Sequence, residues 1–134
     1  MSSLYMLDTN TISFLLRDKS PTIKKKLQQV SMGSVCISAI TEAELLRGLK
    51  KKPEATKLSK LVNEFLRRVS VLPWDSEAAA AYAVFRTMCE SEGKSLGNMD
   101  MLIASHAIAI NAVLVSNDKA FFKIDHLLSV EDWC

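Results

Sequence analysis

The chain has 134 residues, 49% of them hydrophobic and 24% charged, so it can bury one core without disulfides or a structural metal. Its three cysteines, Cys36, Cys89 and Cys134, are odd in number and widely spaced, with no Cys-x-x-Cys pair. That excludes a disulfide framework and a zinc ribbon, and points to a reducing, cytoplasmic setting. The net charge of +2 conceals a split: residues 1–70 hold 13 of the 17 Lys and Arg and 6 of the 15 Asp and Glu, whereas residues 71–134 hold 4 and 9.

In chain order, Leu4 to Leu7 reads as a first buried strand, followed by a short helix from Thr11 to Leu16. A second helix opens at Ser20-Pro21, with proline at the first helical position. Val35-Cys36-Ile37 is a second strand. Ser38 then caps a helix running to Leu49, and the Thr41/Glu44 spacing also matches a capping box. Pro53 is expected to start the next helix, with Leu58, Leu61, Val62, Phe65 and Leu66 on one apolar face. A short strand, Val69 to Leu72, ends at Pro73.

The alanine-rich run from Ser76 to Glu92 is helical, and Gly93 stops it. Asn98 is expected to cap a helix from Met99 to Ile110, which is apolar nearly all round and so central and buried. Val113 to Val115 is a strand, and the tail supplies a small helix at Phe121-Phe122 and an edge strand from Leu127 to Val130. Strands separated by helices of this length imply parallel pairing, so residues 1–134 read as a single α/β domain: an α/β/α sandwich around a mostly parallel sheet. Met1 to Leu7 lacks the basic leader and long apolar run of a signal peptide. The longest apolar stretch, Met101 to Val115, is interrupted by Ser105, His106 and Asn111 and falls short of a membrane span, so no membrane association is expected.

Four acids sit where this layout brings chain segments to one edge. Asp8 and Asp118 follow strands directly, while Glu44 and Asp100 lie in or near the first turns of helices. Ligands of open α/β sheets bind beyond the carboxyl ends of the strands, so carboxylates delivered there converge. Helix N-termini favour negative charge, so these groups are expected to stay ionised near neutral pH. Ionised carboxylates repel one another, and four of them with no Cys or His call for a hard divalent cation, magnesium first and manganese second. Taken singly, Asp8 fits a helix cap and Asp118 a turn. Asp100 is harder to dismiss, because a charge among Ile103, Ala104 and Ala107 needs a partner.

Periodicity leaves Glu44 open. Glu42 lies with Leu45, Leu46 and Leu49, and Glu44 lies with Ile40, Arg47 and Gly48, and either face fits the crevice. Gly48 implies close backbone approach on the Glu44 side. Arg47 either pairs with Glu44 or reaches phosphate. His106, about 120° around its helix from Asp100, and His126 in the tail read as packing or surface groups. The Lys24-Lys25-Lys26, Lys50-Lys51-Lys52 and Arg67-Arg68 runs give the first half a basic surface that attracts phosphate backbones, or else form solvated helix faces.

These residues carry a resemblance. Met6-Leu7-Asp8-Thr9-Asn10, Ile37-Ser38-Ala39-Ile40-Thr41 with Glu44-Leu45 and Gly48, Asp100 with Ile103-Ala104, Val115-Ser116-Asn117-Asp118 with Phe121 or Phe122, and the closing Glu131-Asp132-Trp133 span nearly the whole chain. In that order they resemble a PIN-domain ribonuclease, specifically a VapC-type toxin of a bacterial toxin–antitoxin pair. The resemblance implies a PIN-like fold and places the family's four acids on Asp8, Glu44, Asp100 and Asp118, choosing Glu44 over Glu42. It implies Asp8 and Asp100 as the metal contacts and Thr9, Asn10, Ser38, Thr41, Ser116 and Asn117 as supporting hydroxyls and amides.

The same resemblance implies a magnesium-dependent endoribonuclease, a cognate antitoxin whose basic side chain reaches the acids, and a toxin homodimer, with the helix from Pro53 to Arg68 as a candidate dimer face. Enteric members with similar opening and closing motifs cleave initiator tRNA in the anticodon stem-loop, so that RNA is the first expected target. Two rival readings stand beside it. A phosphoacceptor receiver domain usually shows an adjacent acidic pair after the first strand, which Asp8-Thr9-Asn10 lacks. A degenerate PIN-like domain that binds RNA or protein without cutting sits poorly with retention of all four acids.

Overall fold

The computed structural model describes residues 3–134; residues 1 and 2, which open the stretch read as lacking a leader, lie outside the described residues. Five short strands form one all-parallel sheet: β1 (Tyr5–Leu7), β2 (Val35–Ser38), β3 (Ser70–Leu72), β4 (Val113–Val115) and β5 (Val130–Glu131), in the order β3-β2-β1-β4-β5. Tyr5 lies opposite Val35 on one side and Val113 on the other, so β1 is central. The chain moves away from β1 in one direction to β2 and β3, then crosses back to β4 and β5. The point where the direction reverses lies between β1 and β4, the position at which open parallel sheets bind ligands.

Helices cover both faces. On one lie α1 (Thr9–Leu16), α2 (Pro21–Gln29), α3 (Ala39–Lys51) and α4 (Thr56–Arg68); on the other lie α5 (Ser76–Ser91) and α6 (Asn98–Ala109), and the short α7 (Lys119–Phe122) follows β4. Successive strand residues point to opposite faces, which splits the core. Leu7, Ile37 and Val115 pack with Ile12, Ile23, Leu45 and Val62, whereas Met6, Cys36 and Leu114 pack with Phe85, Cys89, Ile103 and Ala107. The expected three-layer sandwich is observed. α6, apolar all round, buries Met101 and every residue from Ile103 to Ala107.

Several boundaries differ from expectation for local reasons. α1 starts at Thr9 rather than Thr11, because Asp8 is its cap and accepts the Thr11 N–H. α3 runs on to Lys51, and Pro53 ends it instead of opening α4: the residue before proline is driven out of the helical region, and Lys52 sits at φ −132°, ψ 66°. Ser38 caps α3 as expected, but Thr41 then lies within the first turn, so no capping box with Glu44 forms. Gly97, not Asn98, caps α6. β5 comes later than Leu127 to Val130, because Leu128 is used in the core. Gly93 stops α5 as expected, at φ +68°. Among the described residues, no helix is long and apolar enough to cross a membrane.

Candidate active site

Each of the four acids reaches the site through a different element. Asp8 leaves the end of β1 in an extended conformation, its N–H donating to Val115 O at 3.1 Å, and its Oδ1 accepts the Thr11 N–H at 2.8 Å. The Thr11 hydroxyl donates to the same Val115 carbonyl at 3.1 Å. These bonds close the gap between β1 and β4 just where the sheet reverses. Asp118 does not follow its strand directly as Asp8 does: β4 ends at Val115, and after Ser116 and Asn117 the extended Asp118 caps α7, accepting the Ala120 N–H at 2.9 Å while its own N–H donates to Ser116 Oγ at 3.0 Å. Asp100 lies in the first turn of α6, and a side chain added at Gly97 would sit 3.7 Å from its Oδ2. Glu44 lies midway along α3 and accepts the Thr9 hydroxyl.

The electrostatics show that the four belong together. Burial first, then the charges of Asp118, Glu44 and Asp8, push the Asp100 pKa up to about 6. Glu44 is therefore the glutamate of this cluster, and Glu42 is not among the charges that act on Asp100. Asp8, only 4% exposed, is also raised, chiefly by burial and also by Asp118, with the Ser116 hydroxyl and the Thr11 N–H opposing. Burial and mutual repulsion raise both groups above the ordinary carboxylate range, and Asp100, at about 6, still ionises near neutral pH.

The supporting positions divide. Thr9 and Ser116 act on the acids directly. Asn117 lies beside Cys134 and Asn10 is exposed on the first turn of α1. Ser38 bonds to the Ile40 N–H and to His106 rather than to a carboxylate, and the fully buried Thr41 hydroxyl has no hydrogen-bond partner. Arg47 is exposed and, among the described residues, makes no ion pair with Glu44. Space is open where a Gly48 side chain would stand, so close backbone approach there is not observed. His126 is exposed and pairs with Glu92 at 2.8 Å. His106 is buried, in keeping with a packing role, and its Nδ1 also lies 2.7 Å from Ser38 Oγ. An imidazole in a stretch from Ile103 to Ile110 whose only other polar side chain is Ser105 is the signal that such a partner exists.

Among the described residues, no three Asp, Glu, His or Cys side chains are gathered tightly enough to enclose a metal. Asp8, Glu44 and Asp118 each accept a hydrogen bond from the protein, whereas Asp100 is acted on by burial and by the charges of the other three. An all-oxygen donor set suits a hard cation, and magnesium usually takes one or two carboxylates and keeps several waters. Asp8 and Asp100 are the two acids of the cluster whose carboxyls burial raises, and their oxygens are of the kind such a cation takes.

The PIN domain family model matches residues 5–127. A relative from Rickettsia felis named Ribonuclease VapC2 is 34% identical over 132 residues, 97% of this chain and 98% of its own. Another from Salmonella typhimurium, named tRNA(fMet)-specific endonuclease VapC, is 32% identical over 130 residues, 97% of this chain and 98% of its own. Two solved structures are similar throughout. VapBC2 from Rickettsia felis bound to a promoter DNA fragment has a TM-score of 0.88 at 32% identity, covering 98% of this chain and 99% of that one. DNA-bound VapBC from Salmonella typhimurium has a TM-score of 0.89 at 32% identity, covering 99% and 100%. With four acids at the reversal point of a 3-2-1-4-5 parallel sheet and likeness along almost its whole length, the chain belongs to the PIN-domain family, among the VapC-type ribonucleases of toxin–antitoxin pairs.

Proposed function

We propose that the protein is a magnesium-dependent endoribonuclease toxin that cuts initiator tRNA in its anticodon stem-loop, acts in the cytoplasm and is restrained by a cognate antitoxin. The observation that carries the reading is Asp100, whose carboxyl is raised to about 6 by burial and by the charges of Asp118, Glu44 and Asp8. The Salmonella relative's name supports the tRNA target.

Asp8 and Asp100 would hold the cation, magnesium or manganese. When bound, it supplies Lewis acidity and lowers the pKa of water for attack on a phosphodiester. Asp8 is aimed by the Thr11 N–H, and Thr9 fixes one oxygen of Glu44, leaving that carboxylate placed to take a proton from the attacking water. Asp118, anchored by Ala120, completes the negative wall. Neither histidine acts as the base, since His106 is engaged with Ser38 and His126 with Glu92. Single-stranded loops of structured RNA expose a backbone that can enter such a site, and the exposed Lys24, Lys25 and Lys50 to Lys52 would track it outside.

For the antitoxin, an apolar groove of about 1000 Å³ runs between α1, α2 and α4, lined by Leu15, Leu27, Leu58, Leu61 and Phe65, with Arg17 and Arg68 also lining it. The apolar face of α4, a candidate dimer face, contributes to this groove, which suits an amphipathic segment of the antitoxin. A toxin homodimer remains part of the proposal. Purified protein incubated with total cellular RNA and magnesium, with the cut ends mapped, tests the whole reading. Loss of cleavage in EDTA and in Asp8→Asn supports it; undiminished cleavage in either overturns the metal-nuclease mechanism, and absence of any cleavage favours a non-cutting PIN-like binding domain.

A further inference from the structure

α6 carries Asp100, yet apolar packing alone gives it little directional hold on its neighbours. Among the described residues, one side-chain hydrogen bond joins α6 to β2 or α3: His106 Nδ1 lies 2.7 Å from Ser38 Oγ. His106 is 2% exposed and Ser38 fully buried. Ser38 Oγ accepts the Ile40 N–H at 3.1 Å and keeps its own hydrogen to donate; with that hydrogen assigned to Nδ1, the imidazole proton is assigned to Nε2. Burial, which lowers the His106 pKa, favours the neutral ring this arrangement requires.

The bond therefore fastens α6 to the point at which β2 ends and α3 begins. Ser38 stands six residues before Glu44, and His106 six residues after Asp100. The other ties within the site leave α6 out: Thr9 joins α1 to Glu44 on α3, and Thr11 joins α1 to β4. Glu44 and Asp100 repel each other, so the elements that bear them need a fixed contact nearby.

We infer that His106 is a positioning residue, whose buried bond to Ser38 sets the separation of Glu44 from Asp100 and hence the metal-binding and cleavage geometry. The inference rests on the ribonuclease reading above. His106→Leu removes the acceptor while keeping an apolar side chain; His106→Asn places an amide oxygen near the Nδ1 position and restores it; Ser38→Gly deletes the hydroxyl but leaves a residue acceptable at a helix cap. Each variant is assayed for RNA cleavage, for Mn²⁺ binding by the free-ion EPR signal, and for thermal unfolding.

The expected result is a fall of roughly tenfold or more in kcat for His106→Leu and Ser38→Gly, with KM within about twofold and Mn²⁺ affinity weakened in parallel, the scale seen when groups that orient ligands are removed. His106→Asn is expected to recover most of both. A folded His106→Leu that cleaves and binds Mn²⁺ like wild type overturns the inference. If His106→Leu does not fold, Ser38→Gly decides in the same way. Wild-type protein that neither cleaves RNA nor binds Mn²⁺ overturns the underlying reading instead, an outcome separable from the first because it does not depend on His106.

Discussion

Thr9 donates its hydroxyl hydrogen to Glu44, joining the first turn of α1 to the middle of α3 across 35 positions of sequence. The contact spaces the acid that follows β1 from the acid on α3. Thr9→Val keeps the shape of the side chain and removes the donor. It is expected to cost about 1 kcal/mol of stability or less, the usual worth of one half-buried hydrogen bond, and about tenfold in cleavage rate. Paired denaturation and single-turnover assays check both; a stability loss with full activity would make the contact purely structural.

Asp8→Asn separates charge from fold. Asparagine caps helices as well as aspartate does, so α1 keeps its start. Burial already disfavours the Asp8 carboxylate, so removing the charge relieves a cost. The variant is expected to melt at or above the wild-type temperature while cleavage falls by more than about 100-fold, beyond the loss typical of groups outside the metal shell.

Asp100 predicts a pH dependence. Its folded pKa is raised from 3.8 to about 6, so the folded protein holds this proton more tightly than the unfolded chain. The stability it contributes is full below about pH 3.8 and is lost as pH rises through about 6. In EDTA, the melting temperature of wild type minus that of Asp100→Asn is expected to fall as pH is raised from about 4 to about 7. A difference that stays flat removes the basis for the shift.

Added magnesium should reverse that loss. A ligand that binds only the folded state raises its stability with the logarithm of its concentration once that exceeds Kd. At neutral pH, millimolar magnesium is expected to raise the wild-type melting temperature and to have a much smaller effect on Asp8→Asn and Asp100→Asn, as read by differential scanning calorimetry.

Replacing Lys24, Lys25 and Lys26, or Lys50, Lys51 and Lys52, by glutamine tests the basic runs. If they track phosphates, the slope of log binding constant against log salt for single-stranded RNA shrinks by about 0.7 for each phosphate no longer neutralised. An unchanged slope assigns the runs to solvated helix faces.

Much of the site is legible in sequence because it is local. Asp8 directly follows an apolar strand and Asp118 comes three residues after another, so each is delivered near the carboxyl edge of the sheet. Glu44 is not separable from Glu42 by periodicity, since both are half-buried on α3 and what marks Glu44 is Thr9, a residue from another element. The Ser38 link to His106 spans 68 positions and is invisible for the same reason, although an imidazole in so apolar a helix announces that some partner exists. Pro53 misleads because proline both ends and begins helices, and only the length of α3 tells which.

The central strand has one further consequence. β1 is synthesised first, yet its partner across the reversal point, β4, lies more than a hundred residues later, with Tyr5 opposite Val113. Pairing over that distance is slow and comes late in folding. Asp8 and Asp118 therefore meet only after almost the whole chain has emerged, and an incomplete nascent chain lacks an assembled centre. The meeting of these two acids is thus tied to the last long-range pairing of the sheet.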